Sequence, residues 1–289
     1  MTDSKWQEPR WWSISDSGAA ALCSLCFHKC RIRKGATGIC GARRYSGNKF
    51  ASPHLGRFVS IAVDPIEKKP LRRWRPGTYI LSLGGLHCNM ACPFCQNRSI
   101  AHPIGNMRER EITPEQLAEL AAGTSLEAVA YTYNEPLLQA EYIFDASPKL
   151  REHGIATVMV TNGMFGEAVC EEAVQSVDAM NIDVKAFDRE TYKKLGGSLD
   201  ILMRNIRRLV EGGVHVELTN LVVTGVSDSD ERFAEMVSWI AEISPGIPLH
   251  ISRYFPAYQY HAYPTDVKVI RRFRDIALGK LKYVYEGNV

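Results

Sequence analysis

The stretch Cys88-Asn89-Met90-Ala91-Cys92-Pro93-Phe94-Cys95 decides how the rest of the chain reads. It carries three cysteines in a CxxxCxxC spacing, directly after the apolar run Tyr79–Leu83. Three thiolates can hold three irons of a cubic [4Fe–4S] cluster and leave the fourth iron open to a ligand. A CxxC pair alone would fit zinc, a redox dithiol or a cluster alike. Two alternatives stand beside the cluster: a zinc site with His87 as the nearest fourth ligand, or three reduced cysteines packed as small hydrophobes. Ligand chemistry and context favour the cluster, since neighbours in sequence rarely close a tetrahedron.

Downstream of this loop, short β-branched runs alternate with helical patterns. The expected strands are Tyr79–Leu83, Ala128–Thr132, Ala156–Thr161, Ala179–Val184, Val214–Val223 and Leu249–Arg253. The expected helices are Pro114–Ala122, Leu137–His153, Gly166–Gln175, Ile201–Glu211, Asp230–Ile243 and Asp266–Gly279. Thr113-Pro114 and Ser229-Asp230 are helix starts, and Gly212-Gly213 is a helix stop. Six strand–helix units in sequence predict an α/β fold of parallel strands with right-handed crossovers, two units short of a full barrel. Upstream, residues 1–75 read as an irregular segment rich in Cys, Gly, Arg and Trp, and residues 76–289 as the partial barrel.

A chain of 289 residues can bury a sizeable core, and its net charge of +3 does not by itself call for nucleic acid. No apolar run reaches membrane-spanning length, and Met1–Trp6 lacks the regions of a signal peptide, so a cytoplasmic protein is expected. Its eight cysteines do not resemble a secreted disulfide framework and read as metal ligands in a reducing compartment. Seven fall into two groups, 88/92/95 and 23/26/30/40, and Cys170 is left to pack. Cys23, Cys26, Cys30 and Cys40 lie in one glycine-rich stretch that could not order itself by apolar burial. Four thiolates there suit a structural zinc ion, a second iron–sulfur cluster used as a relay, or partly free thiols. If they hold zinc, Cys26→Ser should destabilise the segment and leave the cluster at Cys88 undisturbed; if they hold a relay cluster, the same change should remove half the iron.

Chemistry in parallel barrels collects at the C-terminal ends of strands. The second strand ends at Tyr131-Thr132-Tyr133-Asn134-Glu135-Pro136, and the third at Val160-Thr161-Asn162-Gly163. The fourth carries Asn181, Asp183 and Lys185 on one face, which need a polar ligand or each other. Glu217 and Thr219 share a face of the fifth strand, and His250 and Ser252 a face of the sixth. The bland readings are a solvated acid at Glu135, a buried Asp183–Lys185 pair without a ligand, and a hydrogen-bonded core histidine at His250.

Several of these stretches together resemble the radical S-adenosylmethionine (SAM) enzymes. They are Cys88–Cys95 with Gln96-Asn97, Tyr131–Pro136, Asn181–Phe187, Cys23–Cys30 and Asp64–Leu71. The set is similar to the AmmeMemoRadiSam-system branch, relatives of the pyruvate formate-lyase activating enzymes, over most of the chain from Cys23. The resemblance implies an open (β/α)6 radical SAM barrel, a [4Fe–4S] cluster on Cys88, Cys92 and Cys95, and SAM chelated by the free iron. It implies reductive SAM cleavage to a 5′-deoxyadenosyl radical that abstracts hydrogen from a protein or small-molecule substrate. It places Phe94 against the adenine and Glu135, with Asn134, at the SAM amino group. Asp183 and Lys185 fall near the methionine carboxylate, and Thr161-Asn162 match a motif of the glycyl-radical activases. Thr219 and His250 are candidates for lining the cofactor cavity or meeting ribose or substrate. The chain departs from the pattern at His87 and at Tyr133-Asn134, where glycines are usual, and at Val160, where an aspartate is usual.

An electron donor such as flavodoxin or ferredoxin is the implied partner, with anaerobic handling. Other readings are a glycyl-radical-enzyme activase, an RNA-modifying radical SAM enzyme, and a non-catalytic metal-binding or electron-transfer protein. The basic run Lys68-Lys69-Pro70-Leu71-Arg72-Arg73-Trp74-Arg75 could meet nucleic acid, lie as a solvated strip or dock an acidic electron donor. No second basic cluster supports nucleic acid, which is not expected.

Overall fold

A computed structural model describes residues 7–47, 49–124 and 126–289. The N-terminal stretch read as lacking a signal peptide lies outside the described residues, Trp6 included. The main sheet has eight strands in the order Val284–Gly287, Leu249–Arg253, His215–Val222, Ala179–Asp183, Ala156–Thr161, Ala128–Tyr131, Tyr79–Gly84, Ser60–Pro65. Neighbours pair in parallel up to Tyr79–Gly84, and Ser60–Pro65 closes that edge antiparallel, Ser60 opposite Gly84 and Pro65 opposite Tyr79.

The six expected strands are all present, ending within a residue or two of the sequence reading. Their crossover helices start where side-chain caps allow. Thr113 and Gln116 form a reciprocal capping box, and Ser229 caps Asp230–Ile243 by accepting from Arg232 N. The helix expected over Leu137–His153 opens as a 3-10 turn, Pro136–Gln139, before the α-helix Ala140–Glu152. Two edge strands and the short helix Arg189–Lys194 go beyond the sequence reading. Ser60–Pro65 and Val284–Gly287 are short and mostly half-exposed, so neither carries an apolar run. No helix among the described residues is long and apolar enough to cross a membrane.

The basic run 68–75 is only in part a solvated strip: Lys68, Arg72 and Arg73 are exposed, while Lys69 and Leu71 are buried. It crosses beneath the barrel and forms its floor. Small residues on the inner strand faces, Ala128, Ala130, Ala156 and Ala179, leave room for Ile66 and Leu71, both fully buried there. Burying two such side chains contributes about 1.5–3 kcal/mol each. Lys69 is 2% exposed and pairs with Asp64 at 2.7 Å. Asn181 Nδ2 donates to Pro70 O at 2.9 Å, and the backbone N–H groups of Arg72 and Arg73 donate to Glu217 at 3.0 and 2.7 Å.

The cysteine-rich segment docks on the loop after the third strand. Phe27 N donates to Met164 O and Gly166 N to Leu25 O, at 3.2 and 2.9 Å. A buried ion pair, Arg43–Glu141 at 2.6 Å, ties it to helix Ala140–Glu152. Gly166 permits the close approach, since a Cβ there would stand 2.2 Å from Ser24 O. Gly166→Ala is therefore expected to cost about 1–3 kcal/mol, as overpacking does. Denaturant melts that match wild type would show that the segment is not held at this point.

Candidate active site

A cavity of about 350 Å³ opens at the C-terminal ends of the strands. Cys88, Cys92, Cys95 and Phe94 line one wall, carried by the loop after Tyr79–Gly84. The opposite side is built by Asn134 and Glu135, by Thr161 and Asn162, by Asp183 and Lys185, and by Thr219. Eight of the nine expected cofactor-binding residues thus line one cavity with the three cysteines. The exception is His250. It is not among the cavity-lining residues, because its Nε2 is engaged at 2.7 Å by Glu217, the acid that also holds the floor.

Glu135 is 2% exposed. Its Oε1 accepts from Thr161 Oγ1 at 2.6 Å and Leu137 N at 2.9 Å, and its Oε2 from Asn162 N at 2.8 Å. Burial pushes its carboxyl up to about 7, against those hydrogen bonds and the Lys185 charge. Lys185 donates to Asp183 Oδ2 at 2.9 Å. Burial opposes the lysine charge, but Asp183 and the Cys92 sulfur outweigh it and hold the amine above its ordinary value. Phe94 is buried, its ring edge-on to Tyr260 at 6.2 Å.

The donor set fits an anionic thiolate cluster. Met90 N points at Cys88 Sγ from 3.5 Å and Asn162 Nδ2 from 3.8 Å, while the Lys185 charge acts on Cys88 and Cys92. Burial pushes the Cys88 and Cys92 thiols above their ordinary value, so a metal is what would ionise them here. Among the described residues, no three Cys, His, Asp or Glu side chains stand close enough to share a single metal ion. A cluster, which gives each thiolate its own iron, asks for a wider set.

His87 and Tyr133 stand where glycine is usual and keep a glycine-like backbone, with φ of +75° and +71°. Such a conformation costs a side-chain-bearing residue about 1–3 kcal/mol. At Tyr133 the surroundings offset it. The phenol donates to Asp64 Oδ2 at 2.6 Å, Lys69 Nζ sits 4.5 Å from the ring, and Asn97 Nδ2 donates to the Tyr133 carbonyl at 2.7 Å. Lys68 and Asn288 also reach the cavity. Both come from segments outside the six strand–helix units; Lys68 belongs to the basic run, but its spacing does not aim it at the cavity, and no local pattern marks Asn288.

A partial parallel barrel with three cysteines facing polar strand ends is the architecture of a SAM-cleaving enzyme. The profile of the Radical SAM superfamily matches residues 84–240, and the chain belongs to that superfamily. It is 35% identical over 272 residues to the uncharacterized protein MJ0808 of Methanocaldococcus jannaschii, a match spanning 92% of this chain and 81% of that one. A pyruvate formate-lyase-activating enzyme of Clostridium pasteurianum is 27% identical over 163 residues, 54% of this chain and 67% of that protein. Among solved structures, SuiB of Streptococcus suis bound to S-adenosylmethionine superposes with a TM-score of 0.54 at 17% identity, over 69% of this chain and 47% of that one. That likeness concerns the fold alone.

Proposed function

We propose that this protein binds a [4Fe–4S] cluster on Cys88, Cys92 and Cys95, cleaves SAM, and abstracts hydrogen from a protein substrate. The observation that carries the reading is the facing of those cysteines by Glu135, Asp183 and Lys185 across one cavity. When bound and reduced, the cluster supplies the electron that splits SAM into methionine and a 5′-deoxyadenosyl radical. The chain's own residues bind and orient. Glu135 and Asp183 offer carboxylates to an ammonium group, Lys185 offers a cation to a carboxylate, and Phe94 offers an apolar face to a base. The cavity lies at the small end of ligand pockets, so SAM would fill most of it. The substrate then reaches in from the mouth, as an extended backbone segment can. This favours an activase-like reaction on a partner protein, in line with the names of relatives such as the pyruvate formate-lyase-activating enzyme.

The test is anaerobic incubation with SAM, strong reductant and deuterated candidate substrates. Deuterium should appear in 5′-deoxyadenosine for the true substrate. If it appears only with a free small molecule, the protein-substrate reading fails. Glu135→Ala and Asp183→Ala are each expected to weaken SAM binding about tenfold to a hundredfold, the usual worth of a hydrogen bond to a charged group. Iron content should stay unchanged. A variant that titrates SAM like wild type would show its carboxylate to be structural.

A further inference from the structure

The N-terminal cysteines take no part in the reaction described above. Cys23 and Cys30 meet at the base of the hairpin formed by Ala20–Cys23 and Arg31–Arg33, with Cys23 N donating to Cys30 O at 2.9 Å. Cys26 and Cys40 lie within electrostatic reach of Cys23, and Cys30 within reach of Cys40. All four are free thiols. Backbone N–H groups already point at three of the sulfurs: Leu25 at Cys23, His28 at Cys26, and Ala42 and Arg43 at Cys40. One buried donor beside them lacks an acceptor: Arg43 Nε, on a fully buried side chain near Cys23 and Cys40. The Asn89 side chain meets the Cys26 sulfur. A buried N–H group in the position of Arg43 Nε calls for a group with more acceptors than four thiols provide.

Zinc and a [4Fe–4S] cluster both take four thiolates, and only the cluster adds sulfides that accept hydrogen bonds from a buried N–H group. The two sets also touch. His28 Nε2 lies 2.8 Å from Asn89 O, and Asn89 Oδ1 accepts at 2.7 Å from Asn162 Nδ2, which lies 3.8 Å from Cys88 Sγ. On the other side of Cys88, His87 fits against Gly41, where a Cβ would stand 2.7 Å from its Nδ1. Both neighbours of Cys88 therefore rest on the N-terminal segment.

Charge is distributed just as unevenly. No Asp or Glu occurs between Asp16 and Asp64, while Lys29, Arg31, Arg33, Lys34, Arg44 and Lys49 are exposed. This is a second basic cluster, which the sequence reading passed over, and it lies around the N-terminal cysteines. The run at 68–75, by contrast, is partly spent on the barrel floor.

We propose that Cys23, Cys26, Cys30 and Cys40 hold a second [4Fe–4S] cluster, and that the basic surface around it is where an acidic, flavodoxin-like electron carrier docks. One electron passes from the reduced carrier to this cluster and on to the cluster at Cys88, each donor being oxidised by one electron as its acceptor is reduced. The relay rests on the proposed function above, and the second cluster does not.

The decisive protein is the full chain with Cys88→Ala, Cys92→Ala and Cys95→Ala together, reconstituted anaerobically. It should retain about four irons and four sulfides per chain, with the spectrum of a [4Fe–4S] centre. About one zinc per chain, or no metal, would overturn the cluster whatever the fate of the SAM site. Cys26→Ala in the otherwise native chain gives the reciprocal count, a fall from about eight irons to about four. The relay is tested with two reductants. Arg31→Glu with Arg33→Glu should keep the iron content, yet slow reduction of the Cys88 cluster by reduced flavodoxin several-fold. Reduction by titanium(III) citrate should be unchanged. Added salt should slow the flavodoxin reaction of the native protein in the same way. Equal flavodoxin rates in the native and charge-reversed proteins would overturn the docking surface.

Discussion

Cys92→Ala is expected to abolish SAM cleavage while leaving the protein folded. Three thiolates anchor three irons, and the open fourth iron exists only if all three hold. Cys92 is half-buried on a loop at the cavity wall. Its loss should therefore cost little stability. The measurement is 5′-deoxyadenosine and methionine released under strong reductant, with a thermal melt as the control for folding. Cleavage at the wild-type rate would remove Cys92 from the ligand set.

The largest effect on stability is expected at Glu217. Its side chain is fully buried and accepts from four donors: His215 Nε2 at 3.0 Å, His250 Nε2 at 2.7 Å, and the backbone N–H groups of Arg72 and Arg73. Glu217→Ala leaves those donors without an acceptor beneath the barrel. Breaking a buried charged network of this kind costs about 3–5 kcal/mol, readable as a shift in denaturant midpoint. Burial pushes the Glu217 carboxyl up, but hydrogen bonds from His215, His250, Arg72 and Arg73 outweigh it and hold it at about 2, below its ordinary 4.5. An acid depressed in the folded state stabilises fully above its ordinary value, and that contribution is lost as pH falls from 4.5 through about 2. Native protein should lose stability across that window, and Glu217→Gln should lose less. A Glu217→Ala midpoint equal to wild type would mean that the floor is held by apolar contacts alone.

Glu217 also shows why His250 misleads when read from sequence. Alternation along Leu249–Arg253 correctly turns His250 inward, but it does not say how far along the barrel axis the side chain lies. The cavity is at one end of the strands and the floor at the other, and His250 belongs to the floor. Thr219 and Ser252, each two residues further along, reach the cavity. The basic run fails for a related reason. Lys69 and Leu71 look like an exposed strip until Asp64, Glu217 and the alanine-lined inner faces are brought around them.

The sequence by itself determined the frame and which residues gather at its strand ends. The CxxxCxxC loop, the strand-end acids and six alternating units are local patterns, and each follows from the spacing of residues that are neighbours along the chain. Tertiary structure alone decided the rest. It put two edge strands onto the barrel, turned residues 68–75 into a floor, and gave His87 and Tyr133 a backbone that glycine usually supplies. It also brought Cys26 and Gly41 against the residues on either side of Cys88. These contacts join positions dozens of residues apart. No local periodicity records such contacts, because they arise only when the buried faces of distant segments close on one another.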